Sequence, residues 1–124
     1  MSGSLHGCKV GSMRGFDEID RLVSKYDLTM EREIVPNDID TKYIININGV
    51  VNGHDIVANF IIPLAINTSF QSGGIITVDG VNADVQEYDM QWQSYRPMNI
   101  HTLDVFIRVL AEILKTGIPI IKRK

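Results

Sequence analysis

Between residues 44 and 62 the chain reads IININGVVNGHDIVANFII, with apolar and polar positions alternating on both sides of two Asn-Gly pairs. Such alternation marks a strand buried on one face, and Asn-Gly suits the two positive φ angles of a two-residue hairpin turn. The two pairs cannot both be the turn. With the turn at Asn52-Gly53, the cross-strand pairs Val51 with His54, Gly49 with Ile56, Ile47 with Ala58, Ile45 with Phe60 and Tyr43 with Ile62 make an almost wholly apolar face. The other face then carries Val50 with Asp55, Asn48 with Val57, Asn46 with Asn59 and Ile44 with Ile61. A turn at Asn48-Gly49 would set Asn46 opposite Val51 and Ile45 opposite Asn52, mixing core and solvent on both sides. A half-buried sheet selects the register that segregates its faces, so the turn falls at Asn52-Gly53. Gly49 then lies inside a strand, where glycine marks a bulge or a close contact.

The same pattern recurs at Asp79-Gly80, which predicts a second hairpin with Val78 opposite Val81 and Ile76 opposite Ala83. Beyond it the apolar parity shifts from Val81, Ala83 and Val85 to Tyr88, Met90 and Trp92. A bulge near Gln86-Glu87 would keep one continuous face. Met30 to Val35 reads as a short strand ended by a turn at Pro36-Asn37-Asp38.

Helical periodicity flanks this strand-rich centre. Phe16, Ile19, Val23 and Tyr26 predict an amphipathic helix from Arg14 to about Tyr26. Leu103, Phe106, Ile107, Leu110, Ile113 and Leu114 predict a second, with Asn99 or Thr102 as N-cap and Gly117 and Pro119 as the stop. Val105 and Val109 widen the apolar side of this last helix beyond what covering one sheet requires. The first helix or the tail Ile118-Pro119-Ile120-Ile121 could cover them, or a second copy of the chain could, which makes Val105 and Val109 candidates for a homodimer interface. The expected fold is α+β: a mostly antiparallel, twisted sheet of about five strands with the N-terminal and C-terminal helices packed on one face.

Composition narrows the class. The 124 residues suffice for one domain, and 44% apolar and 22% charged residues are near globular averages. A net charge of −3 argues against nucleic acid as a partner. The lone Cys8 excludes an internal disulfide, and the sequence opens with no signal-peptide pattern, so the expected compartment is the cytoplasm. No apolar run reaches the roughly 20 residues of a membrane-spanning helix. Residues 1–12, rich in Gly and Ser and ending before Met13, resemble a vector-derived leader, which leaves residues 13–124 as the single domain.

Catalytic and cofactor signatures do not emerge. The chain has no G-x-S-x-G, no Walker loop and no G-x-G-x-x-G. His54 and His101 are too far apart in sequence to suggest zinc, and Asp38 and Asp40 lack the spaced oxygens of a calcium loop. His54 reads as a solvated turn residue, and Gly73-Gly74 as a relaxed turn before a strand. No cofactor or metal is expected. What stands out is YDMQWQSYRPMNIH, residues 88–101, which interleaves Tyr88, Trp92 and Tyr95 with amides and Arg96. Amphipathic aromatics beside an arginine are the composition of a contact surface. The expected function is therefore that of a small non-enzymatic interaction protein, of inhibitor, immunity or adaptor type, docking a protein partner through Tyr88, Trp92, Tyr95 and Arg96. The alternative is a protein that binds a small anionic ligand such as a nucleotide, in a pocket between sheet and last helix lined by Trp92, Arg96, His101 and Arg108.

Overall fold

The computed structural model describes residues 13–36, 41–64 and 72–123. The elements run α1 (Met13–Lys25), β1 (Thr29–Val35), β2 (Lys42–Val51), β3 (His54–Pro63), β4 (Gly73–Val78), β5 (Val81–Asn82), β6 (Asp84–Asp89), β7 (Ser94–Pro97), α2 (Leu103–Thr116) and β8 (Ile120–Arg123). Strands β1 to β5 form an antiparallel sheet in sequence order, and β7, β6 and β8 form a second sheet. The fold is α+β. The leader expected at 1–12, with Cys8, and residues 37–40, with Asn37 and Asp38 of the expected turn and Asp40, lie outside the described residues.

The hairpin of β2 and β3 takes the register that face segregation demands, from Val51 opposite His54 to Tyr43 opposite Ile62. Asn52 and Gly53 have φ of 52° and 81°, and Asp79 and Gly80 repeat the pair at 52° and 82°. Both are the left-handed pairs of type I′ turns, whose twist matches that of the strands they join. One side of β2 to β4 is accordingly buried: Tyr43, Ile45 and Ile47, then Ile56, Ala58 and Phe60, then Ile76 and Val78. On the other side Asn59 Nδ2 donates to Asn46 Oδ1 at 2.9 Å, which holds the polar faces in the same register.

Both helices bring aromatic rings to those buried positions. Phe16 of α1 meets Tyr43 edge-on with centroids 5.8 Å apart, and Phe106 of α2 meets Phe60 at 5.0 Å. Arg32 on β1 completes the α1 contact, with its guanidinium 5.4 Å from the Phe16 ring centre and paired to Asp20. Burial pushes the Tyr43 phenol pKa up, while the neighbouring Arg32 charge opposes the shift. Gly49 makes the close contact expected of it, since a Cβ there would stand 2.7 Å from Leu28 Cδ2, and the ladder runs through it with no bulge.

Five expectations are corrected. The parity shift after Val85 is not a bulge: β5 ends at Asn82, Ala83 donates to the Ile76 carbonyl, and β6 starts at Asp84 in the other sheet. The chain changes sheets there, so each segment keeps its own parity. The tail, which the periodicity did not mark as a strand, is one: β8 pairs with β6 in parallel, Val85 opposite Ile121. The segment from β7 through α2 supplies the long crossover that a parallel pair requires. Val109 is 1% exposed within the single chain and Val105 is half-buried, so the wide apolar arc of α2 is satisfied internally at Val109, which is no surface contact for a second copy. Gly73-Gly74 opens β4, and Gly74 is a packing position, where a Cβ would lie 2.8 Å from ring carbons of both Phe60 and Phe106. His54 is half-buried, not a solvated bystander: its Nδ1 lies 2.8 Å from Asp79 Oδ2, and its ring packs against Gly117 at the end of α2.

Two outcomes follow from this packing. Gly74→Ala must displace two aromatic rings and should destabilise the fold by about 1–3 kcal/mol, measured by urea unfolding. The His54 contact and the Asp55 amide hold the Asp79 carboxyl below its ordinary value of 3.8. A carboxyl with a lowered folded pKa stabilises fully above its unfolded value, and that contribution disappears as pH falls through the folded value. Asp79→Asn, which keeps the left-handed turn residue, should therefore flatten the loss of stability below about pH 4 in acid titrations followed by circular dichroism.

Candidate docking site

The second sheet owes its shape to the hairpin of β6 and β7, in which Asp89 pairs with Ser94 across a four-residue loop, Met90 to Gln93. Asp89 Oδ1 accepts the amide N–H groups of Gln91 at 2.9 Å and Trp92 at 3.3 Å. Gln93 closes the loop with φ of 51°. Aspartate is the residue for this task because its short carboxylate satisfies the amide N–H groups two and three residues on. The loop is thus ordered by its own hydrogen bonds, and it holds Met90 at 82% and Trp92 at 64% exposure.

Behind the tip, Tyr88 and Tyr95 stand opposite each other in the ladder with ring centroids 5.3 Å apart in an edge-to-face arrangement. Lys122, from β8, lies 5.2 Å from the centre of the Tyr95 ring. Arg96 on the opposite face of the hairpin reaches Asp89 at 3.4 Å, so the aspartate that orders the loop also tethers the arginine. Both ends of this ion pair are solvated, and its energetic weight is small. What it supplies is orientation.

The candidate residues from the sequence divide into two groups. Tyr88, Arg96 and His101 line one groove of about 550 Å³ with Glu87, Asp89 and Met98. Trp92 and Tyr95 belong to the same hairpin but do not line the groove. His101 lies just before the Thr102 N-cap, whose Oγ1 accepts from the Val105 amide at 3.1 Å, and so stands outside α2. Arg108 is elsewhere, on the exposed side of α2 with Asp104 at 3.3 Å. The pocket imagined between sheet and last helix from Trp92, Arg96, His101 and Arg108 is not assembled. A second cavity, of about 530 Å³, also takes Asn99 and His101 into its wall, with Lys42, Asn59, Ile61 and Ile75 on the outer face of the first sheet.

Comparison with models of known protein families, with curated proteins and with solved structures finds no match. Among the described residues no three His, Cys, Asp or Glu side chains gather as a metal site, and no helix is long and apolar enough to cross a membrane.

Sequence reasoning passed over Met90, Asp89 and Lys122. Asp89 was legible in principle, because an aspartate two and three residues before the loop amides is a local turn signal. Lys122 was not, since it reaches Tyr95 only through a parallel pairing across more than thirty residues of chain. Trp92 is the single tryptophan of the chain, so the site reports on itself. Its fluorescence in the free protein should be red-shifted and quenched by acrylamide nearly as fully as free indole; blue-shifted, protected emission would mean the tip is buried.

Proposed function

We propose that the protein is a non-enzymatic docking protein of inhibitor, immunity or adaptor type, acting in the cytoplasm, and that the tip and flank of the β6–β7 hairpin form its contact surface. The observation that carries this reading is Trp92 and Met90 held in solvent on a loop that Asp89 orders from within. Exposing two large apolar side chains gains the free chain nothing, and burying them against a partner recovers hydrophobic free energy at little conformational cost when the loop is already fixed. Tyr95, Tyr88 and Arg96 extend the surface with groups that pair an apolar body with a polar end, the types enriched among binding hot spots.

The groove beside the hairpin supports the anionic-ligand reading less well. Arg96 and His101 would favour an anion there, but Glu87 and Asp89 share the wall and Asp89 already occupies Arg96.

Substitution at the tip separates binding from folding. Trp92→Ala should weaken partner binding by about 2 kcal/mol or more, the range of an interface anchor. Arg96→Glu should weaken it as well, and both variants should keep the parent's thermal midpoint, because neither side chain is buried. Calorimetric melting beside isothermal titration with the purified partner checks both at once; a large loss of midpoint would assign the stretch to the core.

A further inference from the structure

β1 is an edge strand of seven residues with β2 as its one neighbouring strand among the described residues, and its outward backbone follows from the register. The two-residue turn at Asn52-Gly53 makes Val51 and His54 a hydrogen-bonded pair, so the odd-numbered residues of β2 direct both backbone groups toward β3. The even-numbered ones, Lys42 to Asn48, must then serve β1, where they face Val35, Glu33, Glu31 and Thr29. It follows that Met30, Arg32 and Ile34 turn their N–H and C=O groups away from the sheet. None of these groups has a backbone partner outside the ladder among the described residues. A strand edge of this length is a template for another strand.

The side chains of β1 choose between occupants. Glu31 and Glu33 are exposed on the outer face, and neither has an ion-pair partner among the described residues. Arg32 points to the other face and is engaged by Asp20. Were a second copy to add its own β1 about a two-fold axis, centring on Arg32 would set Glu31 against Glu33 twice and Arg32 against itself. Centring on Glu31 or Glu33 would set that glutamate against its own twin. Like charges directly opposite in a ladder are destabilising. Every two-fold register that pairs five or more of the seven residues therefore penalises self-pairing, whereas an incoming strand with cations at alternate positions would neutralise both glutamates along the whole strand.

We infer that the β1 edge accepts an extended segment of a partner protein carrying Lys or Arg at two positions spaced by two, opposite Glu31 and Glu33, and pairing its backbone with Met30, Arg32 and Ile34. This contact is separate from the hairpin tip and does not depend on it.

A heptapeptide alternating lysine and valine is the probe, with its glutamate counterpart as control. Residue-resolved amide exchange should show Arg32 and Ile34 fast in the free protein and slowed by the lysine peptide, while Glu31 and Glu33 are slow throughout. Ile34→Pro removes an outward N–H that β2 does not use, so it should leave the fold intact and weaken the lysine peptide by about tenfold or more. Replacing both glutamates by lysine should reverse the preference to the glutamate peptide, an effect that holds even if the proline variant is less stable. The proposal is overturned if the peptides bind equally, if Arg32 and Ile34 gain no protection, or if the parent is already a dimer that Ile34→Pro dissociates.

Discussion

The constraint on which the rest depends is the left-handed backbone of Asn52 and Gly53. A two-residue turn leaves one register for β2 against β3, and that register decides which side chains of both strands face inward. Tyr43, Ile45, Ile47, Ala58 and Phe60 become the buried face to which Phe16 and Phe106 bring the helices. The same choice fixes which backbone groups of β2 remain for β1, and so which groups of β1 are left at the edge. Asp79-Gly80 repeats the device, and the hydrogen bond of the Asp79 amide to the Asp55 carbonyl at 2.8 Å ties the two turns side by side. With His54 lodged between Asp79 and Gly117, this end of the molecule joins both hairpins to the end of α2.

The opposite demand, presentation in place of burial, governs the second sheet. Val85 and Ile121 are buried and anchor it to the core. Beyond them its residues face outward: the Tyr88–Tyr95 pair, Lys122 over the ring, and the loop that Asp89 orders. A few buried residues hold the base while hydrogen bonds internal to the loop hold the tip. That division leaves Met90 and Trp92 open to substitution at little cost to the fold, which is what the proposed docking role requires of a loop on a rigid scaffold.

What could be read from the sequence follows the range of the interactions. The β2–β3 register, both I′ turns, the two helices and the Thr102 and Gly117 caps are local, set by side-chain period or by residues a few positions apart, and they were legible. The sheet change at Ala83 was visible only as a break in parity, which a bulge explained equally well until the pairing partner was known. The parallel β6–β8 pair was hidden because no local pattern marks a tail strand that returns beside a segment so far back in the chain. Val109 illustrates the same limit: a helical wheel reports how much of a helix wants cover, not which element supplies it. At the candidate site, composition singled out the stretch 88–101, but could not say that Arg108 stands apart from it or that Asp89 orders its loop.

The proposed function is contact with a partner through the hairpin tip. Placing a photo-crosslinking phenylalanine analogue at position 92 in cells tests that most directly. The account requires one discrete macromolecular adduct, which excess unmodified protein abolishes and excess Trp92→Ala protein leaves in place. Absence of any adduct at 92, or an adduct that Trp92→Ala competes away as well as the parent does, would contradict it.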